Sequence, residues 1–116
     1  MSRRRRPLAR SHDARSMRLA VLSAPDPVEA LVVRSRRLRR RGELRRAVVV
    51  LRQACALDDR RARSFTLLGA LLLRTGHRAE AEGALRHARW LRARAGESGR
   101  AAATQRVIDR AKAAAA

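Results

Sequence analysis

Residues 65–88 read FTLLGALLLRTGHRAEAEGALRHA, and their spacing decides the fold. Phe65, Leu68, Gly69 and Leu72 recur at intervals of three and four, which puts them on one face of a helix. Thr75-Gly76 interrupts the pattern, and glycine suits the left-handed backbone that ends a helix. Ala81, Leu85 and Ala88 then restart the same spacing, and Leu91 extends it. The stretch reads as helix, turn, helix. Its small residues, Gly69, Ala81 and Ala88, would let the two backbones approach closely.

The flanking sequence repeats this arrangement. Shifting the chain by 34 residues aligns Leu31 with Phe65, Leu38 with Leu72, Gly42 with Gly76, Ala47 with Ala81, Leu51 with Leu85, Ala54 with Ala88 and Leu57 with Leu91. Nine of the 34 pairs are identical, a modest number in so biased a composition; their places in the unit carry more weight. Val28, Leu31, Val32, Ser35 and Leu38 form one stripe, and Leu44, Ala47, Val48, Leu51, Ala54 and Leu57 the next. Asp26 is placed to cap the first of these helices, and Pro27 fits its first turn. Asp58-Asp59 and Gly96 to Gly99 are breaks. Ala103, Val107, Ile108 and Ala111 give a weaker closing helix. No segment shows the period-two alternation of a strand.

The second unit, Phe65-x2-Leu68-Gly69-x2-Leu72 followed by Ala81-x3-Leu85 and Ala88, resembles the tetratricopeptide repeat family. The first is looser: Leu31-x2-Arg34-Ser35-x2-Leu38, then Ala47-x3-Leu51 and Ala54, with Arg34 where the family has an apolar residue. Met17, Ala20 and Pro25 fall in register for half a unit further upstream; Asp59 and Ala93 occupy the closing-proline slots of the later units. The resemblance implies an all-α fold, a short α–α superhelix of helix-turn-helix repeats. Its expected parts are a disordered basic tail over 1–10, a degenerate half repeat over 11–27, and repeats over 28–61 and 62–95. A capping helix over 96–112 and a frayed end over 113–116 complete it.

Composition bounds the function. The 116 residues carry 29 basic and 10 acidic side chains, a formal net charge of +19. Of the 29 cations 28 are Arg, and 24 residues are Ala, a skew that GC-rich coding produces without selection for binding. The excess is spread along the sequence, +6 over 1–24, +5 over 25–60, +6 over 61–96 and +2 over 97–116, whereas a dedicated polyanion site concentrates it. Even so, +19 attracts acidic proteins and nucleic acid. The longest apolar runs, 47–51 and 67–73, fall far short of the roughly 20 residues of a membrane span. Residues 1–24 are Arg- and Ser-rich, but the apolar stretch Leu19–Ala24 is shorter than the roughly 7–15 residues of a signal core. A cytoplasmic tail is the expected reading, with a transit segment as the alternative.

Chemistry-bearing constellations are absent from the sequence. His12, His77 and His87 have no carboxylate or cysteine at metal-ligand spacing, and each is expected to be solvated. Cys55 lies on an apolar stripe and reads as a small core residue. Glu80 and Glu82, two apart on a helix, do not face each other. No enzyme and no cofactor are expected.

What the resemblance implies instead is a concave groove lined by the first helix of each unit. It assigns Val32, Arg36, Arg39 and Arg40 from the first unit, and Arg63, Thr66, Ala70, Leu73 and Arg74 from the second. Five guanidiniums there suit an acidic peptide or protein, because Arg takes carboxylates in bidentate fashion. The clamp for chaperone tails found in some members uses Lys and Asn; this chain has no Asn and offers Val32 and Arg36 at the corresponding positions. A protein-interaction adaptor is therefore the expected function. The alternative is a basic nucleic-acid-associated protein held by phosphate contacts alone, since one Phe, one Trp and no Tyr leave little to stack on bases. Either is compatible with an oligomer.

Overall fold

A computed structural model describes residues 26–115, and among these every regular element is a helix. They are α1 (Pro27–Arg40), α2 (Leu44–Leu57), α3 (Ala62–Arg74), α4 (Arg78–Arg94) and α5 (Ser98–Ala115). The all-α expectation is met. None of the described helices is long and apolar enough to cross a membrane. The basic tail, most of the half repeat, His12 and any targeting segment over 1–24 lie outside the described residues.

Asp26 starts α1, accepting from the Val28 N–H at 2.9 Å, with Pro27 in the first turn. Gly42 and Gly76, 34 residues apart, end α1 and α3 at φ of 79° and 83°. The bonds around them match. Glu43 N–H donates to the Leu38 carbonyl at 2.9 Å, and His77 N–H to the Leu72 carbonyl at 2.8 Å. Each closes the last turn and reverses the chain within three residues. The α4–α5 turn is built the same way, with Glu97 N–H on the Arg92 carbonyl at 2.8 Å. The α2–α3 turn differs. Asp58 accepts from the Arg60 N–H at 3.0 Å and from Arg61 Nε at 2.9 Å, while Arg61 also reaches Asp26 at 2.5 Å. Arg61 therefore ties the start of α1 to the end of α2. The Arg61 guanidinium above all holds the Asp26 carboxyl below its usual range; the Arg60 N–H and then Arg61 do so for Asp58.

Each helix packs chiefly on its neighbours in sequence, and side chains bridge across the pairs. Glu29 on α1 meets Arg63 on α3 at 3.2 Å, and Arg52 on α2 holds Glu80 on α4 through two bonds of 2.8 and 2.6 Å. Thus α1 lies beside α3, and α2 beside α4. Leu51, Leu72, Leu85 and Val32 are wholly enclosed, as are Ala47, Ala54, Ala81 and Ala88, so the apolar stripes of α1 to α4 face the core at these positions. Cys55 is buried, and burial pushes its thiol up to about 11.

Four details depart from the sequence reading. Leu57 closes α2 with 61% of its surface exposed, because it falls on the last turn beyond the packed face. The inner face of α5 is Thr104, Ile108 and Ala111, whereas Ala103 is exposed. Thr104 turns inward because its hydroxyl donates to the Arg100 carbonyl at 2.9 Å and accepts from Arg92 at 2.7 Å; Arg89 meets Gln105 beside it. α5 continues to Ala115, through the expected frayed end. Finally, His87 is half-buried. Its Nε2–H donates to the Asp59 carbonyl at 2.7 Å and its ring meets Phe65 edge-on at 4.3 Å, so it fastens α4 to the α2–α3 turn.

The +19 charge leaves the fold under self-repulsion. The seven ion pairs among the described residues are largely exposed and individually weak, so screening relieves more repulsion than it costs in attraction. Raising salt to about 0.3 M is expected to raise the melting temperature followed by circular dichroism. A lower melting temperature in salt would show that the ion pairs dominate.

Candidate functional site

Where α1 lies beside α3, a cleft opens between them. Its walls are Arg36 and Arg39 from α1 and Ala70 and Arg74 from α3. Its floor is Leu51, Leu67 and Leu71, with Ser35 at the side. Helical spacing explains the grouping: Arg36 and Arg39 lie one turn apart, as do Leu67, Ala70 and Leu71 below Arg74. The space open to water inside is about 40 Å³, enough for a small polar group or a few carbons of a side chain.

Of the nine residues expected to form a groove, four line this cleft: Arg36, Arg39, Ala70 and Arg74. The other five lie elsewhere. Val32 is 2% exposed and belongs to the core. Arg63 is engaged with Glu29. Thr66 turns its hydroxyl back to the Ala62 carbonyl at 3.0 Å. Leu73 packs half-buried against the core, and Arg40 is exposed beyond the cleft, in the last turn of α1. Sequence reasoning missed the floor, although Leu67 and Leu71 flank Ala70 and precede Arg74 by one or two turns. It also missed the Glu29–Arg63 pair, whose signal was present: the two residues are 34 apart and opposite in charge.

The two hairpin crossings beside the cleft differ in closeness. At the α3–α4 crossing Gly69 is so close to α4 that an added Cβ would lie 2.6 Å from Leu85 Cγ. The corresponding residue of the first unit is Ser35, which carries a side chain there, its hydroxyl donating to the Val32 carbonyl at 2.7 Å. The first crossing therefore accommodates an extra side chain that the second does not. Ser35 and Leu51 line the cleft from that crossing.

Electrostatics leave the cleft positive. Seven of the nine carboxylates among the described residues are held by arginines elsewhere. Arg39 and Arg74 have no carboxylate partner among the described residues. No three His, Cys, Asp or Glu side chains of those residues come together to hold a metal ion. The arrangement can bind an anion and cover a small apolar group beside it. No protein-family model matches the chain, and neither does any curated protein.

Proposed function

We propose that the chain is a non-catalytic interaction module, a short tetratricopeptide-type array that takes an acidic peptide or protein segment along the α1–α3 cleft without a cofactor. The repeat reading is supported by the matching helix ends at Gly42 and Gly76, the Glu29–Arg63 pair at the repeat distance and the close approach at Gly69. The observation that carries the binding reading is the convergence of three arginines on an apolar floor. A guanidinium fork grips a carboxylate in two parallel bonds, and the leucines beneath exclude water from one side.

The test is fluorescence anisotropy with a labelled Asp/Glu-rich peptide. Arg39→Ala/Arg74→Ala is expected to weaken binding roughly tenfold, because two exposed charge-assisted contacts contribute about 0.5–1 kcal/mol each after screening. Arg106→Ala/Arg110→Ala removes the same charge from α5 and is expected to change affinity by less than about twofold. Equal losses in the two variants would remove the cleft from the account.

A further inference from the structure

We infer that the end of the molecule where α1 turns into α2 and α3 into α4 is a second binding surface, one that holds duplex nucleic acid through its phosphates. The up-and-down topology puts the last turn of α1, the first turn of α2 and the start of α4 together. Thr75, at the α3–α4 turn, lines one open recess together with Gly42, Arg45 and Arg46, and a second together with His77, Arg45 and Arg52. Arg40 and Arg41 close α1, and Arg78 opens α4. Charge spread evenly along the sequence is thus gathered in space.

Nearby carboxylates do not neutralise this end. Glu43 is committed to Arg46 at 2.6 Å, and Glu80 to Arg52. Arg40, Arg41, Arg45 and Arg78 are exposed and have no carboxylate partner among the described residues. Asp26, Asp58 and Asp59 lie at the opposite ends of α1 and α2. Those helices have 14 residues each, so about 21 Å separates the acids from the arginines, more than twice the screening length of about 8 Å in physiological salt.

Helix stability does not explain the placement. Cations near the end of α1 favour the helix, but Arg45, Arg46 and Arg78 lie in first turns, where the helix dipole disfavours positive charge. The first turn of α2 carries no acid at all. An external polyanion would offset that repulsion. Its chemistry follows from what is missing: the aromatic residues Phe65 and Trp90 are not at this end, Trp90 lying twelve residues, about 18 Å, along α4 from Arg78. With no ring to stack on bases, exposed arginines read backbone phosphate, and duplex phosphates are regularly spaced without unstacking a base.

The test titrates the full chain into a labelled mixed-sequence DNA duplex of about 20 base pairs at several salt concentrations. Arg40, Arg41, Arg45 and Arg78, all replaced by Gln, are expected to lose at least about tenfold in affinity and about three to four in the slope of log K against log salt. Replacing Arg60, Arg106, Arg110 and Lys112 by Gln removes equal charge from exposed sites elsewhere and is expected to change affinity less than about threefold. Circular dichroism and melting confirm that both variants fold; should the fourfold variant unfold, Arg45→Gln/Arg78→Gln is read instead, with a slope change of about two. Equal losses in the two fourfold variants, no duplex binding, or tip-dependent binding confined to phosphatidylserine vesicles would each overturn the inference.

Discussion

Leu72→Ala is expected to remove about 2–5 kcal/mol of folding stability. Leu72 is fully enclosed, and its aliphatic mass sits in the core shared by both hairpins. Its carbonyl also takes the His77 N–H that closes α3, so the residue lies where the turn and the core meet. Ala in its place loses the transfer energy of three carbons and leaves a void between helices that are held apart by their other contacts. Domains of this size are stable by only about 5–15 kcal/mol, and repulsion at +19 lowers this one within that range. A urea titration followed by circular dichroism checks the loss. Arg78→Ala, exposed at the start of α4, is the reference and is expected to stay within about 0.5 kcal/mol of the parent.

Gly69→Ala and Gly83→Ala are expected to move stability in opposite directions. Both glycines sit inside helices, where Ala is intrinsically better by roughly 0.5–1 kcal/mol. At Gly83 nothing lies within 4 Å of an added Cβ, so the gain is realised. At Gly69 the Cβ would meet Leu85 Cγ at 2.6 Å and Cδ2 at 2.8 Å, with the Ala81 carbonyl at 3.4 Å. Leu85 is itself 1% exposed and has nowhere to swing, so the helices must separate or the side chain must leave its rotamer. That overpacking costs about 1–3 kcal/mol, which exceeds the gain in helix propensity. Gly69→Val adds a branch and is expected to be worse. Chemical denaturation of the two alanine variants decides the matter; a stabilised Gly69→Ala would mean that α3 and α4 cross less closely than described.

The helices and their order were legible because each signal is local. Glycine at positive φ, apolar spacing of three and four, and Pro27 after a capping Asp26 all act within one or two turns. The 34-residue register was legible too, since it is carried by Leu38 and Leu72, Gly42 and Gly76, Ala47 and Ala81, each with the same task in its own hairpin. The candidate site was legible only in part. Whether a helical residue faces the core or an open groove is a rotation of a few tens of degrees, which the resemblance did not resolve for Val32. Arg63 and Arg39 look alike in sequence; only the arrival of Glu29 from another helix separates an occupied guanidinium from an unoccupied one. His87 illustrates the same limit, because its acceptor is a backbone carbonyl that leaves no mark in the sequence.

An amide-resolved NMR titration of the uniformly labelled chain with an Asp/Glu-rich peptide tests the proposed cleft most directly. Shifts concentrated on Ser35 to Arg39 of α1 and Leu67 to Arg74 of α3, saturating together and persisting in moderate salt, are the expected result. Shifts scattered over exposed arginines on all five helices, fading together as salt rises, would contradict it.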